Sequence, residues 1–143
     1  MKNVYVLFLG ILLSFLTGCR KEGCTDYFAD NYNQSAKKND GSCTYSEKFI
    51  IWQGYETSQL FQQEGITGLA VYIDGQLIGT FLTSNYWTAT PSCEQSGLLN
   101  TIIDMGKNDS KMINLEFRDQ DGISLYNENI LITAGSCNHY EIL

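Results

Sequence analysis

Leu69-Ala70-Val71-Tyr72-Ile73-Asp74-Gly75-Gln76-Leu77-Ile78-Gly79-Thr80-Phe81 is the stretch from which the fold is read. Two apolar, β-branched and aromatic runs flank Asp74-Gly75. Asp-Gly suits a two-residue turn because both central positions need positive φ, so the stretch is expected to form a hairpin. Downstream, Ile113, Leu115 and Phe117 alternate with Asn114, Glu116 and Arg118, the period of two expected where one face of an antiparallel sheet is wet. Asp119-Gln120-Asp121-Gly122 turns the chain, and residues 123–126 return. Residues 48–52, 98–105, 129–134 and 139–143 supply further short apolar strands, with a turn cluster at 107–110. The polar stretch 53–68 reads as loop, with one helical turn near Gln59–Gln63, and residues 86–90 as an edge strand ended by Pro91. Short strands at this spacing suggest an all-β domain, an antiparallel β-sandwich over residues 47–143.

Composition agrees. Apolar residues make up 43% of the 143-residue chain and aromatics 13%, enough to build one core, and 13 glycines favour strands and turns. A net charge of −7 leaves no basic stripe to displace phosphate counterions, which argues against nucleic acid and against electrostatic docking on anionic lipid.

Membrane contact is expected from the other end of the chain. After Lys2, residues 4–16 form an uncharged apolar run of 13 residues, short for a spanning helix and right for a signal-peptide core. Leu16-Thr17-Gly18-Cys19 follows and resembles the bacterial lipobox. The resemblance implies cleavage of residues 1–18 and a covalent diacylglycerol and fatty acid on Cys19, holding residues 19–46 as a tether on a cell-envelope membrane. An outer-membrane location is expected, its periplasmic or surface side left open. Arg20-Lys21-Glu22 only partly resembles the export signals of Bacteroidota surface lipoproteins.

Lipidation of Cys19 leaves Cys24, Cys43, Cys93 and Cys137. In an exported protein four cysteines are most simply two disulfides, with three connectivities open. Proximity and segment boundaries favour Cys24–Cys43 and Cys93–Cys137. Zinc is not expected, because no C-x-x-C pair occurs and His139 is the single histidine.

Residues 23–45, GCTDYFADNYNQSAKKNDGSCTY, resemble a cysteine-framed repeat of Bacteroidota secreted and surface proteins, GCTDPxAxNYxxxAxxDDGSCxY. Tyr27 stands where that pattern has proline and Asn39 where it has the first of two acidic residues. The resemblance implies a small disulfide-stapled module. Independently, a unit this short cannot bury a core and needs a staple. Asp26, Asp30 and Asp40 are the candidates for calcium, set against a reading in which they cap turns. Residues 68–81 loosely resemble the opening hairpin of PEGA-like surface modules, xVyVDGxxxGt, which supports the fold more than a function.

No hydrolase elbow, zinc-protease helix, phosphate loop or dinucleotide fingerprint occurs, and the chain is not expected to be an enzyme or to need a further cofactor. A hydrolase is the distant alternative. Its triad would have to use His139, or its paired carboxylates Asp119 and Asp121, which the Asp-Gly turn already explains. Trp52, Tyr86 and Trp87 are the candidate ligand-facing aromatics, able to stack on a glycan or anchor an envelope protein unless core packing claims them. The expectation is a non-enzymatic envelope lipoprotein that acts as a binding or accessory module. Its alternative is a structural subunit docking a sheet edge into a larger assembly.

Overall fold

A computed structural model describes residues 20–143. Its order is β1 (Glu22–Gly23), β2 (Lys38–Asn39), β3 (Tyr45–Gln53), α1 (Tyr55–Gln63), β4 (Gly68–Ile73), β5 (Gln76–Leu82), β6 (Leu99–Gly106), β7 (Ser110–Arg118), β8 (Ser124–Thr133) and β9 (Asn138–Ile142). A three-stranded sheet β6-β3-β9 faces a four-stranded sheet β5-β4-β7-β8, and β1 pairs with β2 alone. The all-β, two-sheet reading holds.

The deciding hairpin forms as its sequence demands. Asp74 and Gly75 take φ of 50° and 78°, and Ile73 pairs with Gln76. Leu69, Val71 and Ile73 face inward with Ile113, Leu115 and Phe117 of β7. The opposite sheet adds Phe49 and Ile51 of β3, Ile103 and Met105 of β6, and Ile142 of β9. Burial at about 25 cal/mol per Å2 of apolar surface makes this inter-sheet layer the main source of stability.

Four features differ from expectation. Residues 55–63 form a full helix, α1, where the polar composition suggested a loop with a single turn. Tertiary contact overrides weak propensity there: Phe61 packs on the core and Ser58 is buried. Residues 86–90 form no strand; one bridge joins Trp87 to Gly54. Finally, β3–β9 pairs parallel, so the sandwich is antiparallel everywhere except at that pair. Residues 123–134, expected as two strands, run as the continuous β8.

Strand β3 is buried on both faces from Phe49 to Gln53, hence its unbroken apolar run. Phe49 and Ile51 enter the inter-sheet core. Ile50 and Trp52 point the other way and are covered, with Leu98, by Trp87 and the cysteine pair Cys93 and Cys137.

The N-terminal module sits against the sandwich. Cys24, Ala29, Cys43 and Tyr45 belong to the same buried cluster as the inter-sheet core. Phe28 lays its ring against Gly135, at φ +81°, where a Cβ would collide with that ring.

Candidate functional site

The expected aromatics converge on one side of β3. Trp52, Gly54, Tyr55, Glu56, Trp87 and Glu141 line an open cleft of about 470 Å3. Trp52 forms its floor at 5% exposure, so core packing claims most of that indole, while Trp87 is half-buried. Tyr86 is exposed and lies edge-on to Tyr55, their ring centroids 5.0 Å apart. Aromatic faces with a polar tip offer apolar contact and hydrogen bonding together.

The residues that hold these aromatics are polar, and composition alone did not single them out. Gln53 is fully buried at the end of β3, and its Nε2 donates to the Thr83 and Asn85 carbonyls at 2.6 and 2.8 Å. Ser58 Oγ of α1 donates to the same Thr83 carbonyl at 2.7 Å, and Thr83 Oγ1 donates to the Ile66 carbonyl at 2.6 Å. Trp87 N–H then donates to the Gln53 carbonyl at 3.0 Å. Helix, strand and loop are thereby fixed around one buried polar knot. The signal for it was a glutamine closing an apolar strand. Among the described residues, the Trp52 indole N–H and Gln53 Oε1 are buried without a hydrogen-bond partner.

The cleft is acidic. Glu56 stands in the first turn of α1, where the helix dipole favours a carboxylate. Gly54 has no side chain to obstruct Glu141, whose Oε1 would lie 3.2 Å from a Cβ at that position. With no lysine or arginine in the lining, the cleft disfavours anions.

The four cysteines pair as Cys24–Cys43 and Cys93–Cys137, with Cα separations of 4.8 and 6.0 Å. Cys19 lies outside the described residues. His139 is exposed, its Nε2 3.4 Å from Cys137 Sγ.

Two of the calcium candidates, Asp26 and Asp40, bond the backbone of their own turns through their carboxylates. Asp26 accepts from Phe28 N–H at 3.0 Å and from Tyr45 OH at 2.7 Å, and these bonds, the tyrosine's first, hold its pKa below the usual carboxylate value. Asp40 accepts from Ser42 N–H at 2.9 Å and is lowered by its bonds to Ser42. Asp30 donates its backbone N–H to the Thr44 carbonyl. Asp119 accepts from the N–H groups of Asp121 and Ile123, so this pair closes the turn after β7.

No family model matches the chain, and no curated protein or solved structure matches it. Among the described residues no helix is long and apolar enough to cross a membrane.

Proposed function

We propose that the chain is a non-enzymatic cell-envelope lipoprotein, anchored through acyl chains on Cys19, whose sandwich binds a neutral glycan in the Trp52–Tyr55–Trp87 cleft. The observation that carries this reading is the cleft itself. Aromatic surfaces suited to the C–H faces of sugar rings stand beside two carboxylates able to accept from their hydroxyls. The acidic lining, and a chain charge of −7, favour an uncharged ligand over an anionic one.

Titration of the full chain in detergent with a panel of neutral oligosaccharides, followed by tryptophan fluorescence and calorimetry, tests it. Binding is expected for at least one member, and Trp87→Ala should weaken it by about tenfold or more, the scale of one lost aromatic anchor. A panel that leaves both signals flat defeats the glycan reading. The anchor is tested separately by palmitate labelling, which Cys19→Ala should abolish together with membrane association.

A second reading has one observation in its favour. Strand β8 is a ten-residue edge with Tyr126 and Leu131 exposed, a surface suited to docking into a larger assembly. Stoichiometric envelope proteins that copurify with the chain, and are lost when Leu131 is replaced by lysine, would favour that reading.

A further inference from the structure

Among the described residues, one trio of metal-ligating side chains lies together: Cys93, Cys137 and His139, with ligand atoms within 4.8 Å of one another. None takes part in the cleft chemistry above. The trio arises because β9 leaves Cys137 one residue before its start and carries His139 at its second position, paired with Ile50. The loop after the cleft brings Cys93 over the same side of β3, where Lys48 Nζ donates to the Cys93 carbonyl at 2.5 Å.

We propose that this trio is a thiol-gated site for a soft metal ion, closed while Cys93 and Cys137 are bridged and opened to zinc or a similar ion when they are reduced. In a tetrahedral site with Zn–S near 2.3 Å and Zn–N near 2.1 Å, neighbouring sulfur and nitrogen ligands lie about 3.5 Å apart. The Cys137 Sγ to His139 Nε2 distance is 3.4 Å, so one edge of that tetrahedron already exists in the bridged protein. Breaking the bridge frees the second thiolate beside the first, since Cys137 directly precedes β9 and Lys48 of β3 holds the Cys93 carbonyl. Both cysteines are half-buried and the histidine is exposed, which leaves the site reachable by a reductant and by the ion. Two thiolates and one imidazole leave the fourth position for water, and the preference of thiolate ligands selects zinc or copper(I) over calcium or magnesium.

The gating step balances with an external dithiol. Its two S–H bonds are oxidised to a disulfide while the Cys93–Cys137 bond takes two electrons and two protons to become two thiols. Those protons leave when the metal binds. The second bridge, Cys24–Cys43, is buried, with 1% and 6% exposure at its two residues, and is expected to resist the same mild treatment.

The test uses the full chain in detergent, treated with dithiothreitol, freed of the reagent without air, and titrated with cobalt(II) as a spectroscopic stand-in for zinc. Alkylation and peptide mass spectrometry record which cysteines were reduced. The expected result is a thiolate-to-cobalt charge-transfer band saturating at one equivalent. It should be absent from the untreated protein and displaced by zinc. His139→Ala, which leaves the bridge and the fold in place, should weaken binding at least about tenfold. A reduced chain that shows no band, or one whose circular dichroism collapses before metal is added, overturns the proposal. So does a band that survives in His139→Ala at full affinity or in a Cys93→Ser, Cys137→Ser double variant.

Discussion

Gln53 occupies the last position of a strand whose four preceding residues are all buried and apolar. A buried amide is costly unless its donors are matched, and here Nε2 serves two carbonyls of the loop that leads to Trp87. Gln53→Leu is expected to lower stability by roughly 2 kcal/mol by removing both donated bonds, read by urea denaturation, and to weaken cleft binding in parallel. Tyr45 and Asp26 make a residue-scale prediction in pH. Asp26 is depressed in the folded chain, so its contribution is present above the unfolded value of 3.8 and is lost as pH falls through the lower folded value. Tyr45 is raised from 10.0 to about 12, so its contribution holds below 10.0 and is lost as pH climbs through about 12. Melting curves across both windows should show two losses, and Tyr45→Phe should remove the alkaline one and shrink the acid one, where the Phe28 N–H bond remains, while lowering the plateau between them. The turn-capping reading of Asp26 and Asp40 was legible in the sequence because Asx side chains bond their own backbone two residues on. The partnership of Asp26 with a tyrosine 19 residues away was not, since nothing local requires it.

At the scale of elements, the hairpin β4–β5 and the alternating strand β7 were readable because the pattern and the turn chemistry agree. Helix α1 was not. Its residues YETSQLFQQ carry no side-chain N-cap and little apolar periodicity, and it is held by Ser58 and Phe61 against distant parts of the chain. Ser58→Ala should therefore loosen α1 and the cleft loop together, detectable as faster amide hydrogen exchange in both segments with the inter-sheet strands unchanged. Docking of the module is an element-scale event as well. Gly135→Val would force a side chain into the Phe28 ring at a backbone angle that β-branched residues avoid. Preferential proteolysis near residues 28–36 is the expected outcome, with little change in the spectrum of the sandwich.

For the molecule as a whole, the two bridges close segments 19 and 44 residues apart, at opposite faces of β3 and its approach. Chain-entropy estimates make them worth about 3 and about 4 kcal/mol, so Cys93→Ala with Cys137→Ala should cost the larger amount in denaturant unfolding. Sequence by itself determined the all-β class, the hairpin and the common face of Ile113, Leu115 and Phe117 in β7, and it favoured, among three open connectivities, the cysteine pairing that forms. Each of these rests on local rules: turn residues, a period of two, and proximity along the chain. Only the tertiary structure decided that β9 pairs parallel with β3, that Trp52 faces away from the inter-sheet core, and that Tyr55, Trp87 and Glu141 share one cleft. Residues 32 and 54 positions apart along the chain meet there through long-range pairing and a buried glutamine. Such meetings depend on the global packing that minimises exposed apolar surface and unpaired polar groups, which no local window of sequence contains.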